Sequence, residues 1–152
     1  MADWDLVYRP TRSPRYAWII AVVLVVTHVT FAALMRVSDT GTRFRVTDEF
    51  GLALIGVVLA GAVLLFTRPR LRVGAEGVGV QNLLSERVFG WDTVRGLWYP
   101  DKGAWARLEL PDYEHVPVMA VQALDGDDAV AAMAMFRELS DRYAAGGVGA
   151  AD

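Results

Sequence analysis

The sequence predicts an α+β membrane protein, a two-helix transmembrane hairpin followed by a small domain built from a bent antiparallel sheet of about six strands and a C-terminal amphipathic helix. Three features of the chain point there. Two uninterrupted apolar runs, 17–35 and 50–67, are separated by 14 residues and followed at once by an arginine cluster. After Arg68 the pattern changes to short alternating stretches broken by glycine or charged turns. The last stretch carries apolar residues three and four apart, the spacing of one helix face.

At about 1.5 Å per helical residue the two runs cover roughly 27 to 29 Å, the thickness of a bilayer's hydrocarbon core. Arg9, Arg12 and Arg15 precede the first run and Arg68, Arg70 and Arg72 follow the second, while Arg36, Arg43 and Arg45 lie between them. Lys and Arg near span ends favour the cytoplasmic side, so six against three predicts a multi-pass plasma-membrane protein with both termini in the cytoplasm. A cleaved signal peptide is disfavoured, because the first run is too long and no A-x-A site follows it. Tyr16 and Trp18 suit an interfacial aromatic belt. The organisation expected is an arm over 1–15, the hairpin over 16–67, the domain over 68–145 and a flexible tail over 146–152.

Within the hairpin, His28 lies near the middle of the first run, flanked by Thr27 and Thr30. An ionisable group at that depth invites a functional role. With no second His, Asp, Glu or Lys inside either run to continue a proton relay or complete a metal site, helix packing is the preferred role. Ala53, Gly56 and Ala60 are spaced three and four apart and form a small face on the second helix, open either to the first helix or to a partner's helix. Ahead of the hairpin, Trp4 and Tyr8 sit among Pro10 and Pro14 in a non-helical arm. Such an arm is either disordered or docks by its aromatic anchors on a protein surface.

In the domain, alternation is read over Leu71 to Ala75, Val78 to Leu84, Arg87 to Trp91, Val94 to Tyr99, Trp105 to Leu110 and Val116 to Val121. Turns are expected at Glu76-Gly77, Ser85-Glu86, Pro100 to Gly103 and Asp112 to His115. Asp125, Asp127 and Asp128 crowd the start of the helix, where carboxylates satisfy free N–H groups and the positive end of the dipole. Ala129, Met133, Phe136, Leu139 and Tyr143 form its apolar stripe, and Gly146-Gly147 is the expected stop.

Composition removes whole classes of function. The chain has no cysteine, so disulfides, thiolate metal sites and a cysteine nucleophile are excluded. From Arg68 onward nine basic and thirteen acidic side chains leave a charge of −4, a poor match to phosphate backbones, and no nucleic-acid partner is expected. P-loop, paired-glycine dinucleotide, HExxH and GxSxG patterns are absent. His115, with Asp112 and Glu114 beside it, fits a polar hairpin turn better than a catalytic set. No enzyme activity, cofactor or metal is expected.

The stretches GVGV at Gly77 to Val80, FGWDTVRGL at Phe89 to Leu97 and KGAWARLEL at Lys102 to Leu110 resemble the small bacterial PH domains of actinobacterial membrane proteins, in which two spans precede the domain. The resemblance covers about residues 16 to 144 and implies a PH-like fold without implying a catalytic residue. Phosphoinositide-binding PH domains carry Lys and Arg in and beside the first strand-to-strand turn, where this chain has Glu76. The chain also looks like the small two-span factor that accompanies the actinobacterial respiratory supercomplex. That likeness implies an accessory role in assembly or stability beside cytochrome bcc and cytochrome oxidase subunits in the lipid bilayer. The alternative is a membrane-anchored module that binds lipid or peptide in envelope or cell-division assembly.

Overall fold

The computed structural model describes residues 4–37 and 46–148. The chain divides into two compact units, residues 14–67 and a domain in which the N-terminal residues up to Ser13 join everything from Arg68 onward.

In the first unit, α1 (Ser13–Val37) and α2 (Val46–Leu64) extend the two apolar runs at their N-terminal ends. Pro14 is tolerated in the first turn of α1 because N–H groups there have no partner within the helix. Asp48 and Glu49 fall in the first turn of α2, where the dipole favours a negative charge. A 3-10 turn, Leu65–Thr67, closes α2, and the Thr67 hydroxyl donates back to the Leu64 carbonyl at 2.7 Å. Both helices are long and apolar enough to cross a membrane, with mean hydropathies of 2.3 and 2.5. Only 11% of each apolar window is buried, whereas the core helix of a soluble protein would be mostly enclosed. Of the arginines between the two runs, Arg43 and Arg45 lie outside the described residues.

Among the described residues the second unit has seven strands in two antiparallel sheets, which corrects the expectation of a single sheet of about six. The first sheet runs β1 (Trp4–Tyr8), β2 (Arg70–Gly74), β3 (Gly77–Gln81), β4 (Glu86–Phe89), and the second runs β5 (Gly96–Trp98), β6 (Trp105–Glu109), β7 (His115–Gln122). Six of these strands stand where alternation placed them. The seventh comes from the arm: β1 pairs with β2 in the register Leu6 with Val73 and Tyr8 with Leu71. The ladder breaks between β4 and β5 because the chain turns there, with the Thr93 and Val94 N–H groups both donating to the Gly90 carbonyl.

Asn82 joins the two sheets. Its Nδ2 donates to the Pro117 carbonyl at 2.9 Å and its Oδ1 accepts the Met119 N–H at 3.1 Å, supplying bonds to β7 from the end of β3. The core lies between the sheets and α3 (Asp127–Val148), with Leu71, Val73, Val78 and Val80 from one sheet and Leu108, Val118 and Val121 from the other. Each such side chain contributes roughly 1.5 to 3 kcal/mol when fully buried. Ala129, Phe136 and Leu139 of the expected stripe are buried against them, together with Ala132. Trp91 binds the layers: its indole N–H donates to the Gly74 carbonyl at 2.9 Å and its ring meets Phe136 and Tyr143 at about 6 Å between centroids.

Two local expectations change. The helix passes through Gly146 and Gly147 to Val148, because glycine costs about 1 kcal/mol in a helix without forbidding helical geometry. Asp125 sits in a 3-10 turn before α3, and its carboxylate is directed to the arm rather than to the helix N–H groups.

Candidate interaction surfaces

In the hairpin the structure brings His28, Gly56 and Ala60 into or beside the helix contact. A Cβ added at Gly56 would lie 2.6 Å from the His28 Cβ and 2.8 Å from its Cγ, so only glycine admits the imidazole at that point. His28 Nδ1 is 2.7 Å from the Leu24 carbonyl on its own helix. A carbonyl can only accept, so Nδ1 carries the proton and Nε2 keeps its lone pair when the ring is neutral. Ala60 is buried and Ala53 half-buried, and the facing helix offers buried Ala17, Ala21 and Ala32. Gly56 and Ala60 are therefore packed within the hairpin itself, by the close approach of small residues that suits helix association in lipid. Beside Ala60 an apolar hollow of about 230 Å³ opens between Trp18, Ala21, Val25 and Leu64.

The arm residues Trp4 and Tyr8 lie on β1, against their own domain. The Trp4 ring packs near Gly79, and the Arg72 guanidinium stands 5.9 Å from its centroid while also pairing with Glu86 at 3.2 Å. The Tyr8 hydroxyl donates to Asp125 Oδ2 at 3.2 Å. Asp125 Oδ1 accepts from the Thr11 N–H at 3.2 Å, the Thr11 hydroxyl at 3.3 Å and the Arg12 N–H at 2.9 Å. Asp128 takes the Thr11 hydroxyl at 2.9 Å, and Tyr143 donates to Asp5 at 2.6 Å. Asp125 is only 2% exposed, so this is a buried carboxylate whose charge is met by donors from a segment more than 100 residues away in sequence. Desolvation first, then the Asp125 charge and hydrogen bond and the Asp128 charge, push the Tyr8 phenol well above its ordinary range.

The turn between β2 and β3 carries the exposed Glu76, and Gly77 there has φ 135°, with the Phe89 carbonyl oxygen where a Cβ would stand. Arg72 beside it is engaged by Trp4 and Glu86. No cluster of cations gathers at this turn among the described residues.

The surface that sequence reasoning missed is the outer face of β5, β6 and β7. Ala106 and Leu108 point into the core, so Trp105, Arg107 and Glu109 point out. Cross-strand register sets Trp98 beside Arg107, Arg107 beside Pro117, and Glu109 beside His115. The Arg107 guanidinium lies 5.7 Å from the Trp98 ring centroid, and its Nη1 donates to His115 Nε2 at 3.2 Å. Arginine can only donate, so the contact uses the Nε2 lone pair of the imidazole. Trp98 is 40% exposed and Trp105 37%. The available signal was the placing of large aromatics on the solvent phase of an alternating strand. Among the described residues no group of His, Asp and Glu is arranged to hold a metal ion.

Residues 68–139 match the bacterial PH domain. An uncharacterized protein of Mycobacterium tuberculosis and one of Mycobacterium bovis are each 48% identical over 141 residues, covering 93% of this chain and 92% of the relative. No solved structure matches the chain at a significant level.

Proposed function

This chain belongs to the family of those mycobacterial proteins and carries a bacterial PH domain, and from that premise we propose that it is a membrane-anchored, non-catalytic accessory module of a larger membrane assembly. The hairpin holds it in the plasma membrane with both termini in the cytoplasm, as the arginine balance favours. The PH-like domain engages protein. The observation that carries this is the outer face of the second sheet, where exposed Trp98, Trp105 and Arg107 combine the residue types that dominate protein-protein hot spots. Gly56 and Ala60 of the small face are packed within the hairpin, which supports an intramolecular role for that face.

The particular assembly proposed is the actinobacterial respiratory supercomplex of cytochrome bcc and cytochrome oxidase, on the strength of the sequence resemblance alone. A chain with no cysteine and one histidine per unit would act there on assembly or stability rather than electron transfer. Affinity purification from mild-detergent membranes tests both levels. Stoichiometric membrane partners are expected. Respiratory subunits among them support the finer assignment, other partners replace it, and recovery of the protein alone sinks the accessory role.

A further inference from the structure

We propose that the outer face of β5, β6 and β7 is a docking site for an extended, proline-bearing segment of a partner protein that carries Lys or Arg next to its proline. The proposal rests on the accessory role above and specifies the chemistry of the partner.

The first support is backbone strain at the edge of this face. The turn joining β6 to β7 closes with the Glu114 N–H donating to the Pro111 carbonyl at 3.2 Å, and both central residues, Asp112 and Tyr113, have positive φ, 60° and 61°. That is the geometry of a two-residue hairpin turn which favours Asn-Gly or Asp-Gly. Glycine suits the second position, and a tyrosine there is strained. Tyr113 is 97% exposed, so its ring contributes almost nothing to the domain's own packing. A strained backbone that presents a free aromatic ring points to a contact outside the chain.

The second support is shape. Two shallow hollows adjoin at His115. One, of about 310 Å³, lies between Pro100, Trp105, Arg107 and Pro117. The other, of about 220 Å³, lies between Trp98, Tyr113, Glu109 and Glu114. Neighbouring aromatic- and proline-walled hollows suit the ridges of a polyproline II segment, which has three residues per turn, no internal hydrogen bonds and no need of a sheet edge.

The third support is charge. Glu109 and Glu114 line the second hollow, and neither has an ion-pair partner among the described residues. A Lys or Arg entering there would meet two carboxylates and the rings of Trp98 and Tyr113. The same carboxylates oppose an anionic bilayer surface. Arg107, already held by Trp98 and His115, lines the first hollow, and His115 is shared by both.

The test uses the full chain in nanodiscs of phosphatidylcholine, titrated calorimetrically with three synthetic hexapeptides: Pro-Pro-Arg-Pro-Pro-Arg, Pro-Pro-Glu-Pro-Pro-Glu and Ala-Ala-Arg-Ala-Ala-Arg. Saturable binding of the first is expected, about tenfold tighter than either control, with about fivefold loss on Tyr113→Gly and on Glu114→Gln. Tyr113→Gly relieves the turn, so lost binding there is not lost folding. Equal affinity for the alanine peptide, tighter binding of the glutamate peptide, or indifference to Tyr113→Gly each overturns the proposal. So does binding of phosphatidylglycerol vesicles that the proline-arginine peptide fails to displace. If the peptide does not bind while partners still co-purify, the accessory role stands and this site falls. If the peptide binds and no partner co-purifies, the site stands and the accessory role falls.

Discussion

In the hairpin the apolar side chains point outward and the contact between helices is made of alanine, glycine and one histidine. In the PH-like domain the aliphatic core is enclosed between two sheets and a helix, while scattered side chains such as Leu84, Val88 and Val130 and the aromatics of the second sheet's outer face stay exposed. On the proposed membrane reading, the difference follows from solvent. Lipid tails are as apolar as leucine, so helices there gain from close approach of small residues, whereas water drives leucine and valine inward. An exposed Val23 or Leu54 therefore needs no explanation, but an exposed Trp98 or Tyr113 does. Polar groups differ in parallel. His28 is met by one carbonyl of its own helix, while Asp125 gathers donors from the far end of the chain. One is local and the other holds the domain's two termini together.

The largest expected effect breaks that second arrangement. Asp125→Ala leaves the Tyr8 hydroxyl and the Thr11 and Arg12 N–H groups without their acceptor, and should lower the domain's stability by about 3 kcal/mol in chemical unfolding, with the helical signal of the hairpin unchanged. The corresponding break in the hairpin is Gly56→Leu. Its side chain meets the His28 Cβ and Cγ, and overpacking of this kind costs about 1 to 3 kcal/mol. Spin labels on single-cysteine pairs, one on each helix, would report the widened separation, and an unchanged distance would contradict the contact.

A smaller effect is set by pH. The Tyr8 phenol is raised in the folded state, so its neutral form is the one the fold favours. Its stabilisation is fully present below the unfolded phenol's pKa of about 10 and is lost as pH rises above it. Alkaline unfolding should steepen above that pH in the native chain and less so in Tyr8→Phe. The smallest effect sharpens the contrast between structural and interacting residues. Tyr113→Gly removes an exposed ring from a turn that glycine prefers, so thermal unfolding should rise slightly, by up to ~1 kcal/mol of stability. A clear loss would mean the ring packs on its own domain.

The structure also changes how the domain should be handled. A fragment beginning at Arg68 lacks β1, exposes the edge of β2 and strips Asp125 of its donors. Tests of lipid binding need residues 4–12 retained, as a fusion or in the full chain.

Much of this was legible in the chain. Alternation in the sequence located β2 to β7, most plainly β6, where Ala106 and Leu108 are buried between exposed Trp105 and Glu109, and the three- and four-residue spacing from Ala129 to Leu139 located the inner side of α3. β1 was not legible. It is short, it contributes only Leu6 and the half-buried Tyr8 to the core, and the nearby prolines spoke only against helix. Asp125 read as one of three carboxylates at a helix start, because nothing local distinguishes a buried acid from a solvated one. Trp98, Trp105 and Tyr113 read as ordinary strand and turn residues until register placed them around one another's hollows.

The sequence by itself determined the apolar lengths, the arginine balance and the order of strands and helix. Those are properties of neighbouring residues and their period. Tertiary structure decided the rest: that the arm is a strand of the domain, that one sheet is two, that His28 fills the place left by Gly56, and that an aromatic face stands open. Each of these depends on contacts between residues distant along the chain, and local periodicity carries no information about which distant surface will meet it.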